Sequence, residues 1–203
     1  KWRGVYSIGE KYPSKLAIIS NAHALARYSA LVQESGMVPI VEPELLMDGD
    51  HSADVCFSKT SEVIKKCFEE LIIHKVDLSG IILKPNMILS GNQSNEKISS
   101  EEVSNKTLQC LKNSVPSEVP GVAFLSGGQS EIEATENLNT INKNNNTNFK
   151  MTFSYGRALQ QSALKVWSKN INDLETTQKT FNHRAKMCTL AAQGKWVSEL
   201  ENK

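Results

Sequence analysis

Gly80-Ile81-Ile82-Leu83-Lys84-Pro85-Asn86 is the stretch that decides the fold. Its two isoleucines and leucine form a short apolar run without helical period, so it reads as a buried strand. Gly80 marks its start, and Pro85 ends it by removing a backbone donor. Lys84 then stands at the carboxyl end of a strand buried on both faces. Lysine is rare in such a place, because taking an ammonium out of water disfavours its charged form. A neutral amine there is a nucleophile for a carbonyl carbon. The competing reading is a lysine that reaches out to solvent and pairs with a carboxylate. The rest of the chain decides between them.

With 203 residues, a net charge of +1 and 39% hydrophobic content, residues 1–203 read as a single globular domain. The balanced charge gives no reason to expect a nucleic-acid or membrane partner. No apolar run approaches bilayer length, and no signal peptide opens the chain. Cys56, Cys67, Cys110 and Cys188 are widely spaced and form no CxxC pair, so a reduced, cytoplasmic protein with no zinc site is expected. The Asn-x-Ser/Thr matches at Asn92, Asn105 and Asn145 are then chance matches. Lys1 precedes Trp2, Val5 and Ile8 with no methionine, and this apolar opening leads us to expect sequence upstream.

Taken in order, Lys1–Ile8 reads as a strand, and 14–35 as a helix stopped by Gly36. Its faces are loosely marked by Leu16, Ile19, His23, Ala26 and Ala30. Val38-Pro39-Ile40-Val41 reads as a strand ending at Glu42-Pro43-Glu44, and residues 48–51 as a turn. Residues 58–74 read as a helix with Val63, Cys67, Leu71 and Ile72 inward. After the Lys84 strand comes a polar loop at 90–97. A helix opened by the capping box Ser99-x-x-Glu102 follows, then a strand at 121–125. Ser130-x-x-Glu133 opens another helix, to about 142, and residues 143–150 form an asparagine-rich loop. A strand at 151–154 leads to helical pattern at 158–167 and 173–192. Strand alternates with helix throughout, which implies parallel strands with crossover helices in an open or closed α/β sheet. Polar residues recur at the strands: Lys1 and Arg3, Glu42 and Glu44, Lys84, Ser126-Gly127, and Gly156-Arg157. That recurrence describes the active end of a (β/α) barrel.

Leu125-Ser126-Gly127-Gly128-Gln129 also matches the signature peptide of transport ATPases, but the phosphate loop that reading needs is missing. The small residues and the helix start favour an anion nonetheless. Arg157 supplies a guanidinium suited to gripping phosphate. Glu42 and Glu44, two apart on a strand, would share a face, and two like charges that close make one hold its proton more tightly. Such a pair suits proton transfer. His51 reads as part of a hydrogen-bonded turn. His23, His74 and His183 read as structural residues within helices, and Trp2 and Trp167 as packing residues.

Together, Lys1-Trp2-Arg3, Val41-Glu42-Pro43-Glu44, Leu83-Lys84-Pro85-Asn86, Phe124–Ser130 and Phe153-Ser154-Tyr155-Gly156-Arg157-Ala158-Leu159 resemble class I fructose-1,6-bisphosphate aldolase, in order and spacing, over essentially the whole chain. The resemblance implies an eight-stranded (β/α)8 TIM barrel, of which this chain carries about the last five strand–helix units. It implies reversible cleavage of fructose 1,6-bisphosphate to dihydroxyacetone phosphate and glyceraldehyde 3-phosphate, within glycolysis. Lys84 matches the Schiff-base lysine and Glu42 the acid/base. Lys1 matches the neighbouring cation, whose charge would favour a neutral Lys84, and Glu44 a supporting carboxylate. Arg3 matches a substrate-contacting arginine; Ser126, Gly127, Ser154, Gly156 and Arg157 match the phosphate site. No metal and no cofactor are implied. A cytoplasmic homotetramer is, with actin as a further partner.

Part of the family's barrel, including an aspartate and another lysine of the site, has no counterpart here, and neither does its carboxyl-terminal tyrosine. The expectation is therefore a fragment of an aldolase or the product of a truncated gene. The alternative reading is a non-catalytic paralogue kept for binding, for example to the cytoskeleton, or a remnant.

Overall fold

The computed structural model describes residues 1–202. Five parallel strands, β1 (Trp2–Tyr6), β2 (Ile40–Leu45), β3 (Ile82–Leu83), β4 (Gly121–Phe124) and β5 (Lys150–Phe153), pair in the order of the sequence. Between them run α1 (Lys15–Glu34), α2 (Ala53–Ile73), α3 (Ser100–Ser114) and α4 (Glu131–Asn144). Two more helices follow β5: α5 (Arg157–Lys169) and α6 (Leu174–Ala192). A parallel crossover is right-handed, so a sheet whose neighbours follow chain order carries its helices on one face. A doubly wound sheet reverses direction part-way, and this one does not. The architecture is five successive units of a β/α barrel.

The face under the helices is the core. Tyr6, Leu25, Val41, Ile64, Leu71, Leu83, Val122, Phe124 and Leu138 are buried there. Alternation along the strands aims the other residues away from the helices. On β1, Trp2 stacks on Tyr28 of α1 with ring centroids 6.2 Å apart, and a Cβ on Gly4 would meet Asn21 and Leu25 of α1. Lys1, Arg3 and Val5 therefore belong to the opposite face.

Element order agrees with the sequence reading, and four local details differ. β2 begins at Ile40 and runs through Glu42-Pro43-Glu44 to Leu45, whereas Val38 is exposed. Proline is tolerated at 43 because β3 pairs only with Ile40 and Val41. The missing N–H therefore faces a side with no ladder to lose. α2 starts five residues early, because Ser52 caps it by accepting from the Val55 N–H at 3.3 Å. On α1 the inward residues are Ile18, Ala22, Leu25, Ala26 and Ser29, while Leu16 and Ile19 face out; Ile72 of α2 is exposed as well. Trp2 and Trp167 are about half exposed, so packing accounts for only one side of each ring.

Both capping boxes form. Ser99 and Ser130 each accept from the N–H three residues on, and Glu102 and Glu133 return the bond to the cap N–H. All four cysteines are buried free thiols; burial pushes Cys56 up to about 11 and Cys67 up to about 12.

Candidate functional site

The register of β1 on β2 sets Arg3 beside Glu42 and Val5 beside Glu44. The side chains of Lys1, Arg3, Glu42 and Glu44 thus project together from the uncovered face of the sheet. Glu42 bridges two cations. Lys84 Nζ lies 3.0 Å from its Oε1, and Lys1 Nζ lies 2.9 Å from its Oε2. Both are charge contacts, and the buried Oε2 has no hydrogen-bond donor aligned on it. Glu42 is 2% exposed and Lys84 7%. A carboxylate so buried is tolerable only with its charge compensated, and two lysines compensate it. Arg3 donates to Glu44 at 3.0 Å.

The expected coupling of Glu42 with Glu44 is therefore not what forms, since each carboxylate takes its own cation. The expected influence of Lys1 on Lys84 is also changed, because Glu42 stands between the two ammonium groups. Of the two readings of Lys84, the structure combines both: it is buried at a strand end and paired to a carboxylate.

Backbone and side-chain bonds fix this array. The Lys84 N–H donates to the Val41 carbonyl at 2.7 Å, and the Leu125 N–H donates to the Pro85 carbonyl at 3.1 Å. Asn86, also buried, accepts the Leu45 N–H at 3.1 Å through Oδ1. Its Nδ2 donates to Thr60 Oγ1 at 3.1 Å and to the Met87 carbonyl at 3.0 Å. One side chain thus ties the segment after Lys84 to the end of β2 and to α2. The sequence reading gave Asn86 no role of its own. The available signal was a short amide directly after Lys-Pro in an apolar run, where burial demands partners.

At the end of β4, Ser126 is buried. Gly127 and Gly128 take left-handed φ values of +57° and +80°, which side-chain-bearing residues rarely adopt. Gln129 closes this turn, donating from Nε2 to the Ser126 carbonyl at 2.8 Å and accepting from Asn137 Nδ2 at 2.8 Å. A cavity of about 330 Å³ lies beside the turn, lined by Gly127, Gly128, Gln129 and Lys97 among others. Lys84 and Glu42 do not line it.

At the end of β5 the Ser154 N–H donates to the Phe124 carbonyl at 2.8 Å, and the buried Tyr155 hydroxyl donates to the Ala134 carbonyl at 2.9 Å. Gly156 is then the N-cap of α5 and offers no side-chain cap. The other five α-helices are capped by Ser14, Ser52, Ser99, Ser130 and Asp173. The first N–H groups of α5 thus have no side-chain cap, and exposed Arg157 stands beside them. The structure thus brings Lys1, Glu42 and Lys84 into direct contact and pairs Arg3 with Glu44. Ser126, Gly127, Ser154, Gly156 and Arg157 stand at the same carboxyl edge of the sheet, after β4 and β5.

His51 lies in a hydrogen-bonded segment, as expected. Its carbonyl accepts the Gly91 N–H at 2.8 Å, so the turn is hydrogen-bonded, but the buried ring meets no partner at either nitrogen. Burial lowers its affinity for a proton, against a smaller opposing pull from Asp50. The neutral ring is favoured in the folded chain. Below the ordinary histidine value of about 6.5, the unfolded chain takes up a proton that the folded chain refuses, and stability falls. Urea midpoints measured between pH 5 and 8 should decline toward pH 5. The decline should be shallower in His51→Leu, and an equal slope in both proteins would refute this account.

The fold is that of a β/α barrel segment, and at its strand ends a buried lysine is bridged through a carboxylate to a second lysine. The family model "Fructose-bisphosphate aldolase class-I" matches residues 1–203, and the chain belongs to that family. A probable class 1 fructose-bisphosphate aldolase of Xanthomonas campestris is 48% identical over 197 residues, 97% of this chain and 59% of the relative. The cytosolic fructose-bisphosphate aldolase 4 of Arabidopsis thaliana is 46% identical over 202 residues, 99% of this chain and 51% of its own length. Among solved structures, the fructose-bisphosphate aldolase of Plasmodium falciparum, in complex with TRAP and a small-molecule inhibitor, superimposes with a TM-score of 0.94 at 41% identity. That match covers 97% of this chain and 57% of the other. The chain thus spans a little over half the length of these relatives. No helix among the described residues is long and apolar enough to cross a membrane.

Proposed function

We propose that this chain supplies the Schiff-base half of a fructose-bisphosphate aldolase site, acting on fructose 1,6-bisphosphate. The observation that carries the reading is Glu42 held between Lys84 and Lys1. The Lys84 ammonium passes a proton to Glu42 Oε1 across 3.0 Å, leaving a neutral amine that attacks the C2 carbonyl. Glu42 returns that proton to the carbinolamine hydroxyl, which leaves as water, and the nitrogen becomes a protonated imine. Glu42, again a carboxylate, is the base at hand for the C4 hydroxyl. As that proton leaves, the C3–C4 electron pair flows into the imine, releasing glyceraldehyde 3-phosphate and leaving an enamine. Protonation at C3 and hydrolysis then give dihydroxyacetone phosphate and free Lys84.

Arg3 and Glu44 position the sugar. Ser126, Gly127, Ser154, Gly156 and Arg157 receive a phosphate group. In this reading residues 1–203 are one part of a single barrel domain, no metal or cofactor takes part, and the assembly is a cytoplasmic homotetramer with actin as a further partner. A non-catalytic paralogue is not favoured, since the three groups that amine chemistry needs stand in contact. The test is borohydride reduction of the natural polypeptide carrying this sequence in the presence of dihydroxyacetone phosphate, with peptide mapping. A reduced adduct on Lys84 is expected, and a folded protein that gives none would overturn the reading.

The phosphate assignment has its own test. Arg157→Ala should raise KM for the bisphosphate about tenfold or more, the scale of one lost charge-assisted pair of hydrogen bonds, about 1.5–3 kcal/mol. Steady-state kinetics would show it, and an unchanged KM would remove Arg157 from the site.

A further inference from the structure

On the helical layer, near the carboxyl end of α2 and so toward the opposite end of the strands from Lys84, two imidazoles and a carboxylate converge. His23 comes from α1, and Glu70 and the C-cap residue His74 come from adjacent turns of α2. One ligand atom from each lies within 4.8 Å of the other two. Within helical pattern both histidines read as structural; they lie 51 residues apart, and only the packing of α1 on α2 joins them.

We propose that His23, Glu70 and His74 form a binding site for one borderline divalent metal ion, zinc by preference. Nitrogen and carboxylate oxygen are its usual ligands, and bonds of about 2.0–2.2 Å at a tetrahedral centre put neighbouring ligand atoms about 3.3 Å apart. His23 Nδ1 already lies 3.3 Å from Glu70 Oε2. The two rings meet edge to face with centroids 4.8 Å apart, and His74 Nδ1 lies 4.0 Å from Glu70 Oε2, so the His74 ring has to turn to bring its Nε2 to the ion.

The surroundings set each ligand's free atom. His74 Nδ1 lies 2.9 Å from the Glu70 carbonyl, which only accepts, so the proton sits on Nδ1 and the lone pair on Nε2. A backbone carbonyl fixing the tautomer in this way is the usual support for a ligating histidine. Lys66 pairs with Glu70 Oε1 at 3.4 Å and leaves Oε2 for the ion. Three protein ligands leave a fourth position for water.

None of the four cysteines, all buried, is a member of this cluster, although Cys67 lies one turn before Glu70 on α2. In the absence of metal the same residues form a His–Glu pair between helices, and an ion would replace the shared proton.

The test is calorimetric titration of the chelator-stripped natural polypeptide with Zn²⁺, with Co²⁺ absorption as a second reading of a tetrahedral site. One equivalent should bind. His23→Asn and Glu70→Gln should each weaken binding at least about tenfold, while His183→Asn binds as the parent does. His23 is largely exposed, so its variant should keep its fold and decides the matter even if Glu70→Gln unfolds. No saturable binding below about 1 mM, or undiminished affinity in His23→Asn, would overturn the site.

Discussion

Lys84→Arg should give no borohydride-reducible adduct with dihydroxyacetone phosphate, and a turnover lower by a factor on the order of 10⁵, the scale met when a covalent nucleophile is removed. Arginine retains the cation that Glu42 Oε1 meets, but a guanidinium does not give up its proton and cannot attack a carbonyl. The variant therefore separates charge from nucleophilicity. Lys84→Met removes both. It should remain folded, because Lys1 still compensates Glu42. Peptide mapping after reduction and a coupled cleavage assay read the two variants side by side. A persistent adduct on another lysine in Lys84→Arg would move the Schiff base elsewhere in the polypeptide.

The second large effect belongs to the carboxylate. Glu42→Gln keeps the shape but cannot carry a proton between nitrogen and oxygen. Turnover should fall about 10²- to 10⁴-fold, the range of a general acid–base group. Its stability should fall too. With the carboxylate gone, the Lys84 ammonium, 7% exposed, has no counter-charge, and breaking a buried pair from one side costs about 3–5 kcal/mol. An amide oxygen that accepted a hydrogen bond from Lys84 would bring the cost toward the lower figure. Glu42→Gln with Lys84→Met should recover most of the loss, since no unpaired charge then remains buried. Urea unfolding of the two single variants and the double variant closes the cycle. Additive losses would show that Glu42 and Lys84 do not depend on one another.

Much of the architecture was legible because alternation between apolar strand runs and capped helices is a local property. Ser99 with Glu102 and Ser130 with Glu133 announce helix starts through bonds three residues long. The inner face of α1 was not legible. It is built from Ala22, Ala26 and Ser29 as much as from Ile18 and Leu25, and small residues mark no stripe. The length of β2 was hidden by Pro43, which reads as a terminator until the short reach of β3 is known.

The proposed site residues stand out through strand-end position and motif resemblance, but their partnerships do not. Glu42 and Glu44 are close in sequence, so they were expected to act on each other. Neighbouring strands instead supply Lys84 and Lys1 to the one and Arg3 to the other. The contact of His23 with Glu70 is further still from the sequence, because it depends on how two helices lie on the sheet.

The bridged carboxylate also fixes how the site looks from a distance. Lys1, Glu42 and Lys84 together carry one net positive charge at rest. In the proposed chemistry the proton that leaves Lys84 goes only as far as Glu42 and returns to the departing water, while the imine nitrogen takes over the positive charge. The cluster's total is thus the same before, during and after the covalent bond forms. Schiff-base formation is then an electroneutral exchange of ketone for water, with no proton drawn from or given to the solvent. In that chemistry, a phosphate group held at the ends of β4 and β5 would face the same net charge from the cluster while the carbon chemistry proceeds beside it.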